Sequence, residues 1–269
     1  MQFPKQTPEY SHLRPLNEAW GVVYQFKSRR FNHSLGINLL GSDKKICSFN
    51  CAYCELGTTE IRMNDIKRAD FFKEPQDLIN EITAGFERIK SDNAVVDAIL
   101  LVGNGEPTLY PDIDIIVTKI IELRDQYFKN IPTGILTNGS HLDSKKVAKA
   151  VSDLDLRMIK LDAGNDKMLK TVNAPLVKDN IEKIIGNARK IKGAIIQSCF
   201  THGVADNTKS EDLDEWIEAV GMIKPEAVHL YTLDRVPAMS GLIKTDEDTL
   251  YTISAKLEKR TRIKAKVFY

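Results

Sequence analysis

Apolar positions along this chain fall into two alternating rhythms. Leu78, Ile79, Ile82, Phe86 and Ile89 recur every three or four residues, so Glu74 to Lys90 presents one apolar face and predicts a helix. Further helices are predicted over residues 112–124, 143–151, 178–191, 210–222 and 245–259, with Asp143 placed to cap the one at 143–151. Short apolar runs between them predict strands at Ser34–Leu40, Val95–Val102, Thr133–Leu136, Leu156–Leu161, Ala194–Phe200 and Ala227–Leu233. A last extended segment is read at 263–268. No 20–50-residue repeat, low-complexity tract or Gly/Ser linker interrupts this order.

Strands alternating with helices imply parallel βαβ units with right-handed crossovers, an α/β fold. The units between Ser34 and Lys259 are too few for a closed eight-fold barrel. Residues 1–33 fall outside the repeat and are expected to form a short N-terminal extension packed across a barrel domain spanning 34–269. In parallel α/β barrels chemistry gathers at the C-terminal ends of the strands, which selects the residues to inspect.

The first of these ends carries Cys47-Ser48-Phe49-Asn50-Cys51-Ala52-Tyr53-Cys54. The spacing C-x3-C-x2-C puts three thiolates on one tight loop. They can hold three irons of a [4Fe–4S] cluster and leave the fourth iron open. A structural zinc site is the alternative, but it requires a fourth ligand. Cys199, the fourth cysteine, is remote in sequence, and the paired hooks of common zinc sites are absent.

With the aromatic Tyr53 just before its last cysteine, the motif resembles the cluster loop of the radical S-adenosylmethionine (SAM) superfamily. The resemblance implies one [4Fe–4S] cluster on Cys47, Cys51 and Cys54, whose open iron binds the amino and carboxylate groups of SAM. It implies reductive cleavage of SAM to methionine and a 5′-deoxyadenosyl radical, which abstracts hydrogen from substrate. It further implies a partial (β/α)6 barrel of parallel strands over nearly the whole chain, and a one-electron donor such as flavodoxin or ferredoxin.

The other strand ends fit that expectation. Gly103-Asn104-Gly105-Glu106-Pro107 resembles the superfamily's Gly-Gly-Glu motif, which binds the SAM amino group, with Asn104 in the first position of the triplet. Glycines let backbone approach a ligand, and a buried carboxylate accepts from an ammonium. Asn138 ends the next strand. Lys160 and Asp162 share one face of the strand after it, suited to contact with SAM or substrate, or simply to neutralising each other. Gln197 and Tyr231 are further candidates for cofactor contact. Lys160, Asp162 and Cys199 are candidates for catalysis, Cys199 as hydrogen-atom donor or covalent partner. The competing reading of Cys199 is a small buried hydrophobe.

Longer phrases, among them Cys51-Ala52-Tyr53-Cys54-Glu55-Leu56-Gly57, Lys160-Leu161-Asp162-Ala163-Gly164 and Tyr231-Thr232-Leu233-Asp234-Arg235, resemble short single-cluster proteins related to the wyosine-base synthases that modify tRNA. The second cluster of those synthases needs three more cysteines, and only Cys199 remains. A tRNA base, a small metabolite and a glycine on a partner protein are the candidate substrates. An iron–sulfur electron carrier and a zinc-stabilised RNA-binding module are the other function classes. The net charge of +1 gives no field that draws the chain to nucleic acid or membrane. The segment Lys27-Ser28-Arg29-Arg30 and the basic stretch from Lys256 to Lys266 are local basic patches, the second without interleaved aromatics. No run of eighteen apolar residues predicts a membrane span, and residues 1–15 lack the apolar segment of a secretory signal. With three of four cysteines on one loop, a reducing cytoplasm is the expected location.

Overall fold

The computed structural model describes residues 21–40, 44–59, 72–237 and 239–269. Eight strands form one curled sheet. In spatial order they are β1 (Val23–Ser28), β2 (Asn32–Ile37), β3 (Ala98–Leu101), β4 (Thr133–Thr137), β5 (Leu156–Lys160), β6 (Ala194–Cys199), β8 (Ala227–Tyr231) and β10 (Ala265–Phe268). All neighbours from β2 to β10 pair in parallel. Two short strands, β7 (Thr201–Gly203) and β9 (Leu242–Lys244), pair apart from this sheet. The described helices are α1 (Pro75–Ser91), α2 (Ile113–Tyr127), α3 (Lys145–Ser152), α4 (Asp166–Val172), α5 (Ile181–Arg189), α6 (Ser210–Ile223) and α7 (Glu247–Thr261). The result is a half-barrel, as expected.

Strand alternation divides the core in two. Ile99 and Leu101 of β3 join the large cluster between sheet and helices, while Ala98 and Leu100 point the other way. With Met158 they form a small inner cluster, against which Phe26, Phe31, Val102, Leu136, Leu156 and Ile195 are partly buried. Both faces of β3 are thus covered, which is why its sequence AILL is continuously apolar.

Several elements differ from expectation. Val23–Ser28 is a strand of the sheet, antiparallel to β2, rather than part of an extension outside it. Its side chains alternate in burial over a stretch too short to stand out by period alone. Residues 1–20 of the expected extension lie outside the described residues. The helix expected at 178–191 is confined to Ile181–Arg189, capped by Asn180, and is preceded by α4, whose seven residues fall below a readable period. At α3 the cap is Ser144, not Asp143.

The β1–β2 turn has a consequence for closure. β1 is one end of the sheet, and β8 and β10 are the other. The turn reaches across: Arg29 Nη2 donates to the Thr232 carbonyl at 2.9 Å, and the Phe31 ring lies 6.2 Å from that of His229 on β8.

Candidate active site at the strand ends

The cysteine loop is held on two sides. On one side Ile46 pairs with Gly105: Ile46 N donates to Asn104 O at 2.9 Å, and Glu106 N donates to Ile46 O at 3.0 Å. A Cβ on Gly105 would sit 1.7 Å from Ile46 O, and its φ of +147° is one that other residues rarely adopt. Gly105 is therefore required where the loop meets the barrel. On the other side Ala52 N donates to Val172 O and Leu176 N to Ser48 O, both at 2.8 Å. Asn138 Nδ2 donates to Ser48 Oγ at 2.8 Å and lies 3.9 Å from Cys47 Sγ.

Cys47, Cys51 and Cys54 are half-buried, and Cys199 is buried. Donors surround the sulfurs. Phe49 N lies 3.5 Å from Cys47 Sγ, and Asn173 Nδ2 lies 3.4 Å from Cys51 Sγ. Lys45, 2% exposed, donates from Nζ to the Gly57 carbonyl at 2.7 Å and lies near the loop cysteines. Burial works to lower the Lys45 pKa, and the charges of Cys54, Cys47 and Cys51 outweigh it, so the ammonium form is favoured. Burial pushes the Cys47 and Cys51 thiols up, with Asp162 adding to the rise at Cys51. Loading these thiols requires their deprotonation, which a bound metal supplies and a nearby ammonium assists. Among the described residues no group of three or more His, Cys, Asp or Glu side chains is placed to hold a single metal ion. A cluster spreads three thiolates over three irons, so its ligands need not converge on one point. Three thiols on one loop are a donor set that fits an iron–sulfur cluster.

Behind the loop stands a buried polar network. Tyr53 donates to Asp162 Oδ2 at 2.5 Å, and Asn173 Nδ2 donates to the same oxygen at 2.7 Å. Asp162 Oδ1 accepts from Lys160 Nζ at 2.8 Å and from Cys199 N at 2.7 Å. Lys160 also donates to the Tyr231 hydroxyl at 2.5 Å, and its ammonium lies over the rings of Tyr231 and Tyr53 at 4.5 and 4.8 Å. Burial alone would lower the Lys160 pKa, and Asp162 then Tyr231 reverse it, so Lys160 stays charged. Tyr53 is raised by burial and by Asp162, which keeps its phenol protonated. Burial pushes the Cys199 thiol up to about 12.

Glu106 is 3% exposed and knits two strand ends together. Its Oε1 accepts from Thr108 N, Thr108 Oγ1 and Thr137 Oγ1, and its Oε2 accepts from Asn138 N at 2.8 Å. Asn104, 4% exposed, is bound through its backbone to Asn38 Oδ1. Gln197 stands apart from both groups. It is fully buried, donates to Met158 Sδ, and leaves Oε1 unpartnered among the described residues.

The inner cluster leaves a cleft of about 650 Å³ lined by β1, the β1–β2 turn, the loop residues Glu55 and Leu56, Leu136, Gln197 and Tyr231. The Arg29-Arg30 pair turns into this cleft, with Arg30 stacked over Tyr231 at 4.6 Å. In the basic C-terminal stretch, Lys256 and Arg260 pair with Asp214. Lys45, Ser48 and Asn173 escaped sequence reasoning. Lys45, two residues before Cys47, and Ser48, within the motif, carried a positional hint, and Asn173 carried none.

Known proteins resemble this chain in sequence and in fold. The family profile of the Radical SAM superfamily matches residues 44–224. A UPF0026 protein of Helicobacter pylori is 31% identical over 235 residues, covering 86% of this chain and 71% of that protein. A Brachyspira hyodysenteriae protein named GTPase Obg is 32% identical over 212 residues, which are 77% of this chain and 29% of that protein. The SAM-dependent tRNA 4-demethylwyosine synthase of Oryza sativa is 21% identical over 126 residues, 47% of this chain and 18% of that protein. A radical SAM methyltransferase from Sphaerobacter thermophilus shares the fold with a TM-score of 0.62 at 14% identity, over 87% of this chain and 65% of its own. Archaeal TYW1 shares it with a TM-score of 0.54 at 17% identity, over 85% of this chain and 72% of its own. Among the described residues no helix is long and apolar enough to cross a membrane. The family profile spans more than half of the chain, and the chain belongs to the radical SAM superfamily.

Proposed function

We propose that this radical SAM enzyme holds one [4Fe–4S] cluster on Cys47, Cys51 and Cys54, binds SAM beside it, and draws hydrogen from an organic substrate seated in the cleft. The observation that carries this reading is three half-buried thiols on one loop, fixed on both sides, beside that cleft. When bound, the cluster and SAM supply a 5′-deoxyadenosyl radical by reductive cleavage. Glu106 Oε2 accepts one internal bond and has capacity for the SAM ammonium, with Asn104 and Asn138 flanking it. Lys160, charged and half shielded by two tyrosine rings, suits the SAM carboxylate or a ribose hydroxyl. Asp162 orients Lys160 and Tyr53 together. Cys199, protonated at neutral pH, is suited to donating a hydrogen atom and unsuited to nucleophilic attack. A flavodoxin or ferredoxin supplies the electron.

A second reading takes a tRNA base as substrate. It is favoured by the likeness to the tRNA 4-demethylwyosine synthase. Against it, Arg29 and Arg30 line the cleft, and in the C-terminal stretch Lys256 and Arg260 are engaged in ion pairs with Asp214. A peptide or glycyl substrate is the other alternative within the superfamily.

Anaerobic reconstitution with iron and sulfide, followed by reduction with dithionite in the presence of SAM, tests the proposal. The expected product is 5′-deoxyadenosine. A preparation that holds about four irons per chain and is reduced reversibly without forming it is an electron carrier, and the reading fails.

A further inference from the structure

The cleft beside the β1–β2 turn has an unbalanced charge. Its lining carries four cationic side chains, Lys27, Arg29, Arg30 and Arg235, against two acidic ones, Glu55 and Asp234. Both acids are taken. Asp234 lies 3.6 Å from Arg29 Nε, and Glu55 lies 2.8 Å from Arg235 Nη1. Lys27 is exposed to water. Arg30 remains. Its guanidinium stacks on Tyr231, and no carboxylate among the described residues is within ion-pairing distance of it. Burial lowers its pKa, with Arg29 adding to the effect.

Two further groups at the cleft are incomplete. Arg29 Nη1 is buried with no hydrogen-bond partner among the described residues, although Nη2 is bound to Thr232 O. Gln197 Oε1 is likewise buried and unpartnered. Each such group costs free energy unless something arrives to satisfy it. Two guanidinium donors and an amide acceptor thus flank walls made by Leu100, Leu136 and Met158.

We propose that the cleft seats an anionic organic substrate. Its carboxylate or phosphate is held by Arg30 and Arg29 Nη1, its carbon skeleton lies against Leu100, Leu136 and Met158, and a donor on it meets Gln197 Oε1. Both anions offer the paired oxygens that a guanidinium fork matches. The volume of about 650 Å³ is that of a small-molecule site. The substrate's chemistry rests on the proposed radical SAM function, whereas its binding does not.

Phenylacetate, phenyl phosphate and the neutral phenylacetamide put two anions and an uncharged control on one apolar skeleton. Each is titrated calorimetrically into the anaerobically reconstituted full chain, with and without SAM. Wild type, Arg30→Gln and Arg30→Lys are compared, and thermal melting confirms that all three fold. At least one anion should bind wild type about 10-fold more tightly than the amide and lose about 10-fold in Arg30→Gln, with Arg30→Lys between. SAM affinity should stay within about twofold across the three proteins. The tighter anion identifies the substrate's charged group. Anions that bind no better than the amide, or equally well to Arg30→Gln, overturn the proposal. So does a salt-sensitive tRNA shift lost in Arg30→Gln without small-anion binding, which would assign the turn to an RNA backbone. Failure of wild type to bind SAM would sink the proposed function instead, and the titrations without SAM would still be readable.

Discussion

Tyr53 and Asp162 are joined by a 2.5 Å hydrogen bond between residues 109 positions apart, coupling the cysteine loop to the end of β5. The carboxylate of Asp162 also faces the Lys160 ammonium, and its side chain is wholly buried. Asp162→Asn would leave that ammonium without its counter-charge and should destabilise the protein by about 3–5 kcal/mol. Tyr53→Phe removes one hydrogen bond and should cost about 1 kcal/mol. Urea unfolding of the metal-free variants measures both. Equal costs for the two would show that Asp162 is not the pivot of the network.

Replacing Cys47, Cys51 or Cys54 with Ala should abolish cluster assembly. Cys199→Ala should retain about four irons per chain, because its thiol is buried and the Asp162 bond runs to its backbone amide. Iron and sulfide analysis after reconstitution decides this. Loss of the cluster in the Cys199 variant would mean the ligands are wrongly assigned.

Lys45→Met should still permit cluster assembly while making reduction harder. A buried positive charge beside the thiols proposed to hold the cluster favours the added electron, and its removal should shift the potential by on the order of 100 mV to more negative values. A redox titration followed by electron paramagnetic resonance reads the shift without any turnover. An unchanged potential would leave Lys45 with a purely structural role through Gly57.

His229 gives a pH dependence. Burial first, then Arg30 and Lys266, lower its pKa from 6.5 to about 4, and its Nδ1 has no partner among the described residues. Between those values the unfolded chain binds the proton that the folded one refuses. Its contribution is therefore full above about pH 6.5 and is lost as pH falls towards 4, by up to about 3 kcal/mol. His229→Phe should flatten that part of the stability profile measured by denaturant unfolding. A profile of the same slope in the variant would remove His229 as the cause.

The order of strands and helices, and with it the place of the motifs along the fold, was legible in the sequence. Cys47, Cys51, Cys54, Glu106 and Asn138 all stand where strand ends were expected, because periodicity placed the strands and the barrel rule did the rest. What depended on tertiary contact was not legible. Gly105 reads as a residue that lets a ligand approach, yet it is the Ile46 carbonyl that approaches it. Asn173 touches Asp162, and its side chain also reaches Cys51, only because α4 brings it there. The direction of Arg29 and Arg30 followed from β1 joining the sheet, which a six-residue strand with weak alternation did not announce.

The hydrogen bond from Arg29 to Thr232 also sets a length scale. One arginine ties the turn after β1 to the chain just past β8, the strand beside the terminal β10. At that point the two sides of the half-barrel lie within reach of a single side chain. Which molecules fit inside is then decided by the closing turn and not by the number of strands, so size selectivity could drift by substitution at one position while every strand stays in register.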